Sequence, residues 1–376
     1  MNIGFDGKRA ANNLTGLGNY SRSLIAHLAK YFPQNQYFVY SPKVKNIPQI
    51  NAFTNTKGIY LKLPTKKRPF WRSLGIKAQL LKDRIDLYHG LSHELPIGIH
   101  KTGIPSIVTI HDLIFIKFPE NYGVIDRFIY NLKTRYACKH ADRIIAISEQ
   151  TKQDIIQLFK ITPDKIDVVY QSCDDSFKLP ATEETKKLVK TKYNLPDQYI
   201  LNVGTIETRK NLISLIKALK NVDESYKLVV IGKKTDYYKL VEKEIQELKL
   251  NDRVLFLQNV PFTDLPVIYQ MASVFVYPSV YEGFGIPIIE ALYTHVPVVA
   301  ATGSCLEEAG GPDSIYVHPT DHNAMANAIN KILAEPHLQA EMKEKGLAYV
   351  QKFNNEHISN QMMQLYIKTL ADNPPY

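Results

Sequence analysis

A repeated cadence is what most constrains this chain. Short apolar runs at 1–6, 36–40, 85–89, 106–110, 143–147 and 166–170 read as buried strands, with helical patterns at 24–31, 128–138 and 149–159 among them. A polar, lysine-rich stretch at 178–197 interrupts the pattern. It then restarts, with strands at 199–203, 228–231, 254–257, 272–277 and 296–300, helices at 212–219 and 264–271, and a last helical segment from 341 to 370. Alternation of this kind builds doubly wound parallel sheets. The fold class predicted is therefore α/β: two Rossmann-like domains, 1–177 and 198–354, joined by a linker at 178–197. Such sheets bind ligands at the carboxyl ends of their strands, so the loops after strands carry the functional argument.

The 376 residues suffice for two cores, and 45% apolar with 22% charged residues is ordinary globular composition. No run approaches the roughly 20 apolar residues of a membrane span. The first residues read as a strand running into a loop, without a signal peptide's apolar core. Cys138, Cys173 and Cys305 are too few and too scattered for a disulfide framework or a zinc site, which suggests a reduced, cytoplasmic protein.

Net charge is +9, and part of it is concentrated. Between Lys62 and Arg84 lie eight basic residues and one acid, interleaved with Phe70, Leu74, Leu80, Leu81 and the only tryptophan, Trp71. A solvated helix face is one reading of this stretch, and an anionic membrane surface is another. Nucleic acid is not supported, since no helix-turn-helix, RNA-recognition or zinc-finger pattern occurs.

Several loops have the composition of ligand sites. Thr15-Gly16-Leu17-Gly18-Asn19 precedes a helix, and its glycines would let backbone amides face a phosphate or sugar, although turns of this kind are frequent. His89 and His93 share an H-x3-H spacing, but Gly90 argues for a loop rather than a metal-binding helix. His111-Asp112-Leu113 closes a strand, where chemistry is commonly placed. Ser148 reads as a helix N-cap. In the second half Gly204 is followed by Arg209 and Lys210, two cations ahead of a helix start: either a solvated basic loop or an anion site combining a guanidinium fork, a point charge and helix amides. Amides of the loop 302–307 offer a further phosphate site.

The densest stretch is 277–291, with Glu282-Gly283-Phe284-Gly285-Ile286-Pro287-Ile288-Ile289-Glu290 at its centre. A buried strand leads in and an apolar helix pattern leads out, with Pro287 near the first helical position. Glu282 should lie in the loop and Glu290 in the first helical turn, at opposite ends of whatever lies over the helix N-terminus. An anionic group flanked by hydroxyls fits this description. From the residues alone, the chain is two doubly wound domains binding a phosphorylated ligand.

This E-x7-E stretch resembles the signature of the retaining GT-B glycosyltransferases of family 4. The glycine-rich loop, His-Asp-Leu and the Arg-Lys segment occur in the family's order, so the resemblance spans nearly the whole chain. It implies a GT-B fold, two Rossmann-like domains facing across a cleft, with the last helix, about 355–376, crossing back to the first domain. It implies transfer of a hexose from a GDP- or UDP-sugar to a glycan or lipid-linked acceptor, with retention at the anomeric carbon. The subset it most resembles uses GDP-mannose in bacterial surface-polysaccharide assembly. By resemblance Arg209 and Lys210 neutralise the leaving diphosphate, Glu290 holds the ribose diol, and Glu282 with the backbone at Phe284, Gly285 and Ile286 holds the sugar. His111 contacts sugar or acceptor, Gly16, Gly18 and Gly204 face the donor, and Val260 lies in a loop holding the base. No D-x-D motif occurs, so neither metal nor cofactor is expected. The site would be cytoplasmic, on a chain peripheral to the inner face of the plasma membrane.

Two departures stand out: the family's Asn-Gly is missing near 171–177, and Thr294-His295 stands where Cys-Gly is usual. The alternatives are a non-enzymatic nucleotide-sugar-binding scaffold and another GT-B enzyme, such as a nucleotide-sugar epimerase or a phosphorylase. Neither the epimerase's acid–base set nor the phosphorylase's cofactor lysine is evident.

Overall fold

The computed structural model describes residues 1–64 and 70–373 and forms two compact units. The first comprises Met1–Gln171 and Asn355–Tyr376, the second Ser172–Asn354. Seven strands form the first sheet: β1 (Asn2–Asp6), β2 (Gln36–Tyr40), β3 (Ile59–Lys62), β4 (Leu87–Gly90), β5 (Ser106–Ile110), β6 (Arg143–Ala146) and β7 (Ile166–Val168). Their order is β3-β2-β1-β4-β5-β6-β7, and every pairing is parallel. Parallel strands need crossovers, and helices such as Gly16–Tyr31 and Val124–His140 supply them, covering both faces.

Alternation along β2 shows how the two faces are filled. Tyr37 and Val39 enter one core with Phe5, Ile25 and Leu28, whereas Phe38 and Tyr40 enter the other with Trp71, Ile76 and Leu80. Trp71 is therefore a core residue and not an interfacial anchor, which corrects one part of the membrane reading. Its neighbour Arg72 is also turned inward, paired with Asp6 and Glu94. Lys66, Lys67 and Arg68 lie outside the described residues.

The second sheet has β8 (Tyr199–Val203), β9 (Lys227–Ile231), β10 (Val254–Leu257), β11 (Val274–Tyr277), β12 (Val298–Ala301) and β13 (Ile315–Val317), in the order β10-β9-β8-β11-β12-β13. All pairings are again parallel. The stretch 178–197, read as a linker, carries the helix Glu183–Tyr193, capped by Thr182 and packed on the helix Leu265–Gln270 within this unit. The terminal segment is two helices, Pro336–Val350 and Asn355–Asp372, separated by a tight turn that buries Phe353. No glycine or proline marks that break, so the helical period reads straight through it.

The last helix belongs to the first unit, and a buried polar chain fastens it. Tyr366 Oη lies 2.7 Å from His89 Nδ1, and His89 Nε2 lies 2.8 Å from Thr109 Oγ1. Burial, reinforced by the nearby His111, pushes the His89 pKa down to about 3. Below the unfolded value of about 6.5, the unfolded chain takes up a proton that folded His89 refuses. Stability of this unit should thus fall as pH drops from about 6.5 toward 4, by about 1.4 kcal/mol per pH unit from His89 alone. Trp71, the single tryptophan, sits in this unit's core, so urea titrations read by its emission report on it. His89→Gln should flatten the slope.

Candidate functional site

In the second sheet the connection from β8 runs to one side and that from β11 to the other, so the crevice between their carboxyl ends is the switch point. Two loops emerge there. The first runs from β8 through Gly204 to the turn Thr208–Lys210, then to Asn211, which takes a left-handed conformation (φ 55°) and leads into the helix Leu212–Leu219. Asn211 Nδ2 donates to the carbonyls of Pro278 (3.2 Å) and Pro319 (2.8 Å), tying the first loop to the second. The second runs from β11 through Pro278 and Ser279 to Glu282.

Between them the loops bring Arg209, Lys210 and Glu282 together. Arg209 Nη1 lies 2.8 Å from Glu282 Oε2, and Lys210 Nζ contacts Glu282 Oε1. Ser279 Oγ donates to the same Oε1 at 2.6 Å and Tyr277 Oη at 3.1 Å. Lys210 also sits over the Tyr277 ring, 4.8 Å from its centroid, and Arg209 Nη2 reaches Glu207 at 2.6 Å. Burial alone would raise the Glu282 pKa, but Lys210 and Arg209 outweigh it and hold it down to about 2. The carboxylate is thus locked in its charged form between two cations.

Glu290 sits differently. The helix Ile286–Tyr293 starts after Gly285, whose φ of 141° disfavours a side chain and where an added β-carbon would meet Ala309 Cβ at 3.0 Å. Glu290 is its fifth residue, one turn later than expected. Its carboxylate accepts a 2.9 Å hydrogen bond from Tyr269 Oη and sits near Asp174 and Cys173. Burial, with a smaller push from Asp174, raises its pKa to about 7 against the pull of Tyr269. Phe284 is buried edge-on against Phe353, ring centroids 5.3 Å apart. The Cys305 thiol donates to the carbonyls of Phe284 (2.8 Å) and Glu282 (3.2 Å), pinning the loop from behind. Val260 lies beyond β10, next to Asn259 with its φ of 55°. The Gly303 amide and the Thr302 hydroxyl are both directed at Glu307, so the loop 302–307 is not an open phosphate cradle.

In the first unit His111 ends β5. Its Nε2 donates to the Leu91 carbonyl at 2.8 Å, Gln171 Nε2 donates to its Nδ1 at 2.9 Å, and Tyr20 packs edge-on at 4.7 Å. Both ring nitrogens are therefore engaged, and burial next to His93 pushes its pKa down to about 4. Its neighbours His93 and Asp112, with Arg9, Glu94, Tyr130 and Lys133, line a cavity of about 170 Å³. Gly16 and Gly18 do not form a loop, because they open the helix Gly16–Tyr31. At Gly18 a β-carbon would meet the Asn13 carbonyl at 1.9 Å, so that glycine serves close packing. His89 and His93 point into different surroundings, and among the described residues no group of three or more His, Cys, Asp or Glu is placed to hold a metal ion. Ser148 caps its helix as expected, accepting from Thr151 N at 3.0 Å.

Sequence reasoning missed Tyr277, Ser279, Tyr269 and Cys305. Ser279, three residues before Glu282 in the same loop, was the one with a local signal.

Comparison with known proteins adds the lineage. Residues 183–348 match the model of "Glycosyl transferases group 1", and residues 14–177 that of "Glycosyltransferase Family 4". The chain is 29% identical over 375 residues to the O-antigen chain mannosyltransferase B of Escherichia coli, covering 94% of this chain and 96% of that one. It is 30% identical over 242 residues to the O-antigen chain mannosyltransferase RfbU of Salmonella typhimurium, covering 64% and 63%. Among solved structures, Anabaena HepE in complex with UDP-glucose superposes with a TM-score of 0.74 at 19% identity, covering 98% of this chain and 100% of that one.

Removing the buried carboxylate leaves Lys210 without its ion-pair partner and Arg209 with only the more exposed Glu207. Glu282→Ala should cost about 3 kcal/mol in chemical denaturation followed by circular dichroism. Inorganic pyrophosphate should raise the melting temperature of the variant more than that of wild type, because an added anion restores the missing charge.

Proposed function

Because the chain belongs to the group 1, family 4 glycosyltransferases, we propose that it moves mannose from GDP-mannose, with retention and without metal, onto a glycan or lipid-linked acceptor in surface-polysaccharide assembly. The work is done in the cytoplasm, at the inner face of the plasma membrane. The observation that carries this reading is the Arg209–Glu282–Lys210 cluster at the switch point of the second sheet. Two cations here face one buried carboxylate, with the more exposed Glu207 on the other side of Arg209. A diphosphate carries more negative charge than Glu282 and takes both cations from it, which turns the carboxylate toward the hydroxyls of the transferred sugar. As the bond from the anomeric carbon to the diphosphate breaks, charge builds on the leaving oxygen, where the guanidinium and ammonium are already aimed. At the start of the Ile286–Tyr293 helix Pro287 has no N–H and the Ile288 amide donates to the Gly285 carbonyl, so the Ile286 amide is the terminal donor left for the same region. Glu290 accepts hydrogen bonds from the ribose diol, and Gly204 and Val260 border the nucleotide. His111 holds the acceptor side through the backbone of Leu91 and through Gln171. Mannose is favoured because two relatives are O-antigen mannosyltransferases, one of them aligned over nearly its full length, and GDP follows from the family resemblance alone.

A thermal-shift panel of GDP, UDP and ADP on wild type and Arg209→Ala tests the donor site. GDP at 100 times its Kd should stabilise wild type by about 2.7 kcal/mol and leave Arg209→Ala near its unliganded midpoint. Arg209→Ala should also lower kcat by about 10²–10³. A response to UDP alone, with no turnover of GDP-mannose, would overturn the donor assignment, and no response to any nucleotide would favour the scaffold.

Glu290 gives a pH signature. Below about pH 7 its carboxyl is protonated and loses an acceptor for the ribose diol. The GDP Kd should therefore weaken as pH falls from 8 to 6, by up to about tenfold per pH unit once the group is protonated. Glu290→Gln should bind less tightly and show a flat profile over that range.

A further inference from the structure

The helix Val124–His140 is amphipathic in the wrong sense for a helix that only packs on its sheet. Thr134, Ala137 and Cys138 face the core, Lys133 reaches Glu94, and Tyr130 meets Phe115 and Tyr122. The opposite side carries Val124, Ile125, Phe128, Ile129 and Leu132, and these are 39–75% exposed. Ile125, Phe128, Ile129 and Leu132 follow the i, i+3, i+4, i+7 spacing of one continuous stripe. Isolated exposed apolar residues need no explanation, but an apolar stripe along two turns does.

The stripe is not alone. The Ser73 carbonyl accepts from Ile97 N at 2.7 Å, and the Tyr136 hydroxyl accepts from Gly98 N. This joins the segment 70–75 to the helix through the loop at 97–98, and Phe70, Leu74 and Ile97 are exposed along that join. Cations surround the patch. The Lys77 ammonium lies beside Gly98, and the helix itself contributes the exposed Arg135 and Lys139 next to the stripe. An apolar stripe bordered by positive charge complements an anionic bilayer surface. The same helix lines the 170 Å³ cavity with its inward side, through Tyr130, Lys133 and Thr134, so the stripe and the cavity lie on opposite sides of one helix.

We propose that the outer face of the helix Val124–His140, with the segment 70–75, is a docking surface for an anionic lipid bilayer, the bilayer that carries the acceptor saccharide. This deepens the reading above and rests on its lipid-linked acceptor. The experiment is co-flotation of the full chain with vesicles of phosphatidylglycerol in phosphatidylcholine, and with phosphatidylcholine alone, read in parallel with the GDP-induced thermal shift. Wild type should float with the anionic vesicles. Ile125→Asp/Phe128→Asp should lose roughly tenfold or more in partitioning, while keeping the GDP shift, since both positions are exposed. Lys77→Glu/Lys139→Glu should lose flotation chiefly on anionic vesicles. Flotation of the double variant at the wild-type level overturns the proposal, and so does a wild type that stays at the bottom of the gradient. If that non-floating wild type sediments as a dimer that Ile125→Asp/Phe128→Asp dissociates, the stripe is an interface between copies instead. Intact flotation with no nucleotide shift would instead reject the donor site and leave the docking surface standing.

Discussion

One carboxylate shared by two cations organises the second unit. Glu282 lies where β8 and β11 diverge, and Arg209 and Lys210 reach it from the neighbouring loop. Neither side tolerates isolation. A buried carboxylate without partners would neutralise, and two buried cations without an anion would repel. Surrounding residues serve this pairing. Ser279 and Tyr277 occupy lone pairs on the carboxylate, Asn211 ties the two loops, and Cys305 holds the loop backbone behind Glu282. Such an arrangement is preorganised for an anion, because its donors are aimed before any ligand arrives.

The two glutamates of the E-x7-E stretch show how environment divides labour between identical side chains. Glu282 faces cations and stays charged, its pKa held near 2. Glu290, eight residues on, is buried against Tyr269 with Asp174 nearby and no cation paired to it among the described residues, and its pKa is pushed up to about 7. Burial acts on both in the same direction, and the cations at one site decide the difference. A group held at a pKa of about 2 is a permanent charge near a diphosphate. A group poised near neutrality adjusts to hydroxyls that donate to it.

Much of the fold was legible because strand and helix periods differ. Helices 149–159 and 212–219 and strands 199–203 and 254–257 fall where the pattern places them. The glycine-rich start of Gly16–Tyr31 was not legible, because glycines that open a helix and glycines that form a loop have the same composition. Helix Glu183–Tyr193 was hidden by its lysines, which are solvated while only Val189 is buried. The joining of Arg209, Lys210 and Glu282 followed from strand-end logic together with family likeness. Tyr269, supplied by a separate helix, had no local signal, because its contact with Glu290 spans 21 residues.

Trp71 and the helix Val124–His140 expose the limit of reading surfaces from composition. A tryptophan among cations suggests an interface, yet Trp71 is buried with Tyr40, Ile76 and Leu80. The helix drew attention only as an apolar pattern, which sequence logic turns inward by default. Its inward face is instead fixed by the small residues Ala137 and Cys138, with Thr134, because small side chains let a helix approach a sheet closely. The larger Ile125, Phe128 and Leu132 are therefore left outside, and the amphipathic period survives with its sense reversed. Period alone says that a helix has two faces. Which face is inward depends on side-chain volume at the contact, and that volume turns an ordinary crossover helix into an exposed apolar surface.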